Sequence, residues 1–223
     1  MIETDRAGKA TPSPAAGRQL SAIAFLYDGA NLLTLAGLLC GVLAIYLIAR
    51  GFYAAAMIAL LWALFCDWFD GPLARRTSRR TAEHRAFGAQ LDSLADMVSS
   101  GVAPAVLLLG VGDLRPSFLP GAFLLVLAGA IRLAHFSVFG LDDQRTYRGL
   151  PIDTNIVVVT AVFALHSSLS GETFSWLLYA VVVVLAVMNV APFRSPKLVG
   201  GWYYAIAAYV LGMTFFYARL LVP

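Results

Sequence analysis

Four aspartates stand where the sequence is otherwise apolar. One pair lies in Phe65-Cys66-Asp67-Trp68-Phe69-Asp70-Gly71-Pro72-Leu73-Ala74-Arg75, the other in Phe87-Gly88-Ala89-Gln90-Leu91-Asp92-Ser93-Leu94-Ala95-Asp96. Asp67 and Asp70 are spaced i,i+3 and Asp92 and Asp96 i,i+4, so on helices each pair shares one face. Clustered carboxylates repel one another unless cations lie between them. Two divalent ions would cancel the charge of all four. Ligation by oxygen alone suits Mg²⁺ or Mn²⁺ rather than zinc, because no Cys or His joins the set at ligand spacing. A pair of metals about 3.5–4 Å apart is a common device for phosphoryl and phosphodiester chemistry. Arg75 follows the first pair and has the fork geometry that holds diphosphate oxygens. Gly88 heads the row that continues through Asp92 and Asp96, and Gly71 and Ala74 accompany the other pair. Small residues there let a ligand or a neighbouring helix come close.

These residues need elements to hold them, and the composition says which. Of 223 residues, 60% are hydrophobic and 13% charged, against roughly 45–50% and 25% in soluble domains. The mean hydropathy is +0.77. The chain is expected to be an all-α, polytopic membrane helix bundle. Spans of roughly 20 apolar residues are predicted at 30–49, 52–74, 87–110, 117–140, 154–170, 173–191 and 201–220. Seven is the expected number, within a range of six to eight. The aspartate pairs then fall at facing ends of the second and third spans, where an ionisable group is costly and marks function by default. Residues 1–20 are polar and aperiodic and lack a signal-peptide core, so they are read as a disordered cytoplasmic tail, with 21–223 as one membrane-embedded domain. Cys40 and Cys66 sit in apolar runs and support no disulfide framework.

Basic residues crowd alternate linkers: Arg75, Arg76, Arg79, Arg80 and Arg85, then Arg145 and Arg148, then Arg194 and Lys197. That alternation places these linkers, the N-terminus and the aspartates on the cytoplasmic side of a multi-pass protein of the cytoplasmic membrane. Topology and contact with anionic membrane lipids account for most of the cluster. The net charge of +3 gives no reason to expect nucleic acid as a partner.

The pattern Asp67-x2-Asp70-Gly71-x2-Ala74-Arg75 followed by Gly88-x3-Asp92-x3-Asp96 resembles the signature of the CDP-alcohol phosphatidyltransferases. The 12 residues between Arg75 and Gly88 are more than many members have. The resemblance implies a six-helix catalytic core, a homodimer, and a lipid-open cavity facing the cytoplasm. It implies that Asp67, Asp70, Asp92 and Asp96 bind metal, that Asp96 is also the general base, and that Gly71, Ala74, Arg75 and Gly88 meet the CDP-lipid. Asn31 and Thr34 look like the family's first-helix element, with Ala30 in place of proline, and are assigned to the same substrate.

Residues Phe87 to Pro104, with Arg132-Leu133-Ala134, Gly149-Leu150-Pro151 and Phe193-Arg194-Ser195-Pro196-Lys197, are similar to the phosphatidylserine synthase branch. That similarity implies CDP-diacylglycerol as donor and L-serine as acceptor, with glycerol 3-phosphate, inositol 1-phosphate and choline as alternative acceptors. Arg132, His135, Arg148 and Lys197 are the candidate acceptor contacts, Arg132 foremost because an arginine within a span is costly. Two departures from the branch, His135-Phe136-Ser137 and Ile152-Asp153-Thr154-Asn155, fall near that acceptor region. The rival from another class is a cation or proton transporter built on the same aspartates.

Overall fold

In lipid, backbone groups have only one another to bond to, so long apolar runs become helices. The computed structural model describes residues 21–77, 80–140, 146–196 and 200–221. The predicted tail at 1–20, Arg79, Arg145 and Lys197 lie outside the described residues. A short 3₁₀ turn, Ala22–Tyr27, leads into α1 (Gly29–Ala49), α2 (Tyr53–Arg76), α3 (Ala82–Asp96), α4 (Ala103–Val111), α5 (Leu119–Phe139), α6 (Thr154–Phe163), α7 (Gly171–Val190) and α8 (Trp202–Arg219). A π-helical turn, Met97–Val102, joins α3 to α4, and the three segments form one span, Ala82–Val111. These eight α-helices make seven helical units at the positions of the seven predicted spans. Among the described residues, five units are long and apolar enough to cross a membrane, and Thr154–Ser168 is a shorter apolar one.

Local chemistry sets the ends. Pro116 and Pro120 stand in the first turns of their helices, where a missing amide costs little. Pro72 instead lies inside α2, where it leaves the Trp68 carbonyl without its i+4 amide. Thr81 caps α3 by accepting from the His84 amide at 3.3 Å, so the third span begins before the predicted residue 87. Ser170 likewise caps α7 by accepting from the Thr173 amide at 3.3 Å.

Helix α2 runs through the interior, packed on α1, α6 and α8, while α5 packs on α7. Leu60, Leu61 and Leu64 of α2 are fully buried with Leu107, Leu108, Leu125, Leu178 and Val182. Outside, Leu39, Phe123, Ile131, Val184, Leu211 and Phe215 stay exposed, an apolar surface suited to lipid. The molecule is an integral membrane protein.

Two linkers that the sequence left irregular are tied together. Thr146–Arg148 (β1) pairs antiparallel with Arg194–Pro196 (β2). Beside this ribbon Gly149 has φ +72°, and a Cβ there would stand 2.5 Å from the Asn189 carbonyl oxygen, so glycine is the residue that fits. The Gly149 and Leu150 amides donate to Phe193 and Met188 carbonyls at 2.8 and 2.9 Å. The segment before α6 is thereby pinned to the end of α7.

Candidate active site

The ends of α2 and α3 converge as their spacing requires. Carboxylate oxygens of Asp67, Asp92 and Asp96 lie within 4.8 Å of one another. They line a cavity of about 10 Å³ with Thr34, Ala95 and Ser99, large enough for one water-sized or ion-sized occupant. Asp70 is set slightly apart. Its Oδ2 accepts from the Thr34 hydroxyl at 2.5 Å, and it remains an electrostatic neighbour of Asp92. Oxygen donors at such mutual distances, on two rigid helices in a low-dielectric setting, fit a hard divalent cation. Among the described residues, neither ion pair, Arg80–Asp28 or Arg115–Glu172, involves Asp67, Asp92 or Asp96.

The other sequence candidates spread over this end. Arg75 is exposed and donates to the Tyr203 hydroxyl at 3.2 Å. Asn31 is buried, donates to the Phe25 carbonyl at 2.9 Å and accepts from Arg80 Nη2 at 2.8 Å. Arg80 also pairs with Asp28. A Cβ on Gly88 would lie 2.7 Å from Arg80 Nη2 and 2.8 Å from Asn31 Oδ1, so the glycine is what admits that pair. Gly71 and Ala74 are partly buried on α2.

Arg132 is buried at 8% exposure. Its Nε donates to the Leu150 carbonyl at 3.0 Å, and its guanidinium lies 5.7 Å from the Phe136 ring centroid. One turn on, His135 is exposed, its ring 4.7 Å from that of Phe139. Arg148 is exposed on the ribbon, in register with Arg194.

Three residues that sequence reasoning did not assign also gather here. Arg80 was one of five linker arginines, and only its approach to Asp28 and Asn31 sets it apart. Asp153 caps α6, its Oδ1 accepting from the Thr154 amide at 2.9 Å. Its Oδ2 accepts from Trp68 Nε1 at 2.7 Å, and it is an electrostatic neighbour of Asp67, Asp92 and Asp96. Trp68 in turn meets Tyr203 edge-on at 5.8 Å. The signal for Asp153 was present as an acid two residues after Gly149-Leu150-Pro151, where small and apolar residues are expected.

Similarity to known proteins agrees with this arrangement. Residues 28–191 match the CDP-alcohol phosphatidyltransferase family, a stretch that holds α1 to α7 and every residue of the aspartate cluster. The archaetidylserine synthase of Methanothermobacter thermautotrophicus is 31% identical over 173 residues, covering 76% of this chain and 70% of that protein. A CDP-diacylglycerol–serine O-phosphatidyltransferase of Helicobacter pylori is 31% identical over 179 residues, 77% of this chain and 73% of its own. The phosphatidylcholine synthase of Brucella melitensis is 30% identical over 165 residues, 73% of this chain and 56% of its own.

Proposed function

The chain belongs to the CDP-alcohol phosphatidyltransferase family, and from that premise we propose that it moves the phosphatidyl group of CDP-diacylglycerol to the hydroxyl of L-serine, releasing CMP. The observation that carries this is the convergence of Asp67, Asp92 and Asp96 to within 4.8 Å at one end of a lipid-facing bundle. An enzyme of this family needs no transport pathway through the bilayer, and the transporter alternative is set aside.

Asp67, Asp70, Asp92 and Asp96 would hold two divalent ions, Mg²⁺ or Mn²⁺, one of them in the small space between Asp67, Asp92 and Asp96. When bound, these stabilise charge on the phosphoryl and leaving oxygens. Asp96 takes the proton of the acceptor hydroxyl as that oxygen attacks the β-phosphorus, the one that carries the lipid. The bond from that phosphorus to the CMP oxygen breaks in the same displacement. Thr34 orients Asp70 through its hydroxyl. Arg75 has several of its five N–H donors left beyond the one that meets Tyr203, and these serve the diphosphate. Gly71, Ala74, Gly88 and Asn31 shape the space for the CDP portion, and the acyl chains lie between helices.

Serine is favoured as acceptor by the names of relatives such as the Helicobacter pylori enzyme and by Arg132, a buried cation suited to a carboxylate. Choline is the second reading, favoured by the Brucella melitensis relative. His135 and Arg148, both exposed, and Lys197 are assigned no step. The basic linkers support a site facing the cytoplasm, and family resemblance supports a homodimer as the working unit.

The test is CMP release by purified protein given CDP-diacylglycerol and Mg²⁺ or Mn²⁺, with serine, choline, glycerol 3-phosphate and inositol 1-phosphate offered separately. Release with serine alone is the expected result. Release with another alcohol alone would keep the reaction and replace the acceptor.

A further inference from the structure

The four motif aspartates account for the metals, yet the site holds a fifth acid that the motif does not include. Asp153 stands at the start of α6, and its position is over-determined. Its backbone follows the pinned Gly149–Leu150 segment. One carboxylate oxygen caps the helix at 2.9 Å, and the other receives Trp68 Nε1 at 2.7 Å. Trp68 is the chain neighbour of Asp67, so this bond ties Asp153 to the helix that carries the reacting end. Two carboxylate oxygens accept about four hydrogen bonds, so the pair has acceptor capacity beyond the Thr154 and Trp68 contacts.

Its surroundings define what it would take. Asp153 adds one more carboxyl group within electrostatic reach of Asp67, Asp92 and Asp96. Beside it stands the indole of Trp68, with the Tyr203 ring edge-on to it at 5.8 Å. A carboxylate next to aromatic rings is the chemistry that recognises ammonium groups. Arg132, the buried cation of the same region, is an electrostatic neighbour of Asp153. A guanidinium and a carboxylate in one electrostatic neighbourhood match a molecule that carries both charges.

We propose that Asp153, fixed by Trp68, selects the acceptor by receiving its ammonium group beside the aspartate cluster, and that the same charge turns away phosphorylated alcohols. The proposal rests on the transferase reading above and deepens it. It makes Asp153 a specificity residue, with Arg132 answering the carboxylate of an amino-acid acceptor.

The experiment compares L-serine with glycerate, in which a hydroxyl replaces the ammonium group, as acceptors for CMP release by the full chain. The readout is the ratio of their kcat/KM values. Wild type is expected to favour serine by about tenfold or more, the range of one hydrogen bond to a charged group. D153N keeps a helix-capping side chain and is expected to bring the ratio to near unity, while D153E retains most of the preference. A change that merely disturbs α6 lowers both values and leaves their ratio in place. A ratio in D153N within twofold of wild type overturns the proposal. So does wild type using glycerate as well as serine, a result that needs no variant. Choline taken in place of serine would remove the serine reading alone, and the ammonium site then stands or falls on whether D153N raises the choline KM about tenfold. Use of glycerol 3-phosphate alone overturns both.

Discussion

At the Tyr53 end of the bundle charged side chains are spread and wet, whereas at the Asp67 end, about 20 Å along α2, acids from two helices are packed against one another. The first end has much the larger cavity, about 410 Å³, lined by Tyr53, Asp113, Arg115, His166 and Glu172. Its charges pair loosely: Arg115 and Glu172 are 3.9 Å apart with side chains 42% and 74% exposed. Such a pair is worth about 0–1 kcal/mol. The second end offers only about 10 Å³, but its carboxylates are drawn from two helices and lie within 4.8 Å of one another. Volume is therefore a poor guide to where this molecule works. Concentrated like charge, which folding alone would disperse, is the better one.

The contrast can be broken from either end. The largest effect is expected from Asp96→Asn, which should lower CMP release by about 10³-fold and leave the affinity for CDP-diacylglycerol within threefold. Parallel loss of both would remove the general-base role. Next, a chelator should abolish release and Mg²⁺ or Mn²⁺ restore it, with Asp67→Asn raising the half-activating metal concentration about tenfold or more. An Asp67→Asn chain with wild-type metal dependence would take that residue out of the ligand set. Gly88→Ala forces a methyl against Arg80 and Asn31 and should raise the KM for the CDP-lipid about tenfold. Adding Arg80→Ala should recover part of that loss; no recovery would mean that Gly88 serves the ligand directly. Arg132→Ala should raise the serine KM by a similar factor, and an unchanged KM removes it from the acceptor site. The smallest effect belongs to the other end. Glu172→Gln should leave CMP release within about twofold and cost less than about 1 kcal/mol in stability, and a tenfold loss would make the large cavity functional.

Much of this arrangement was legible in the chain. Seven apolar runs predicted seven helical units, because lipid leaves the backbone few alternatives. The i,i+3 and i,i+4 spacing of the aspartates placed each pair on one face. What stayed hidden depends on contacts between segments distant in sequence. Thr146–Arg148 finds Arg194–Pro196 across α6 and α7, and no hairpin turn announces such a pairing. Arg80 has the same side chain as its linker neighbours, and only the fold brings it to Asn31 and Gly88. Asp153 was visible as a departure from an apolar pattern, but its link to Trp68 spans 85 positions. The π turn left no mark either, since Met97–Val102 reads as an ordinary apolar stretch with small residues.

That turn has a consequence for how the third span is phased. A π turn closes its hydrogen bonds at i+5 rather than i+4 and so takes in an extra residue. Asn155, buried, supplies a side-chain amide to the Ser100 carbonyl within it at 3.0 Å. One residue is worth about 100° of rotation in an α-helix. The turn thus acts as an angular offset between two lengths of one rod: α4 meets α5 and α7 at the angle their packing demands, while α3 keeps Asp92 and Asp96 aimed at α2. Straightening the rod by deleting one residue between Met97 and Val102 would leave both halves helical and swing the carboxylates out of alignment with Asp67.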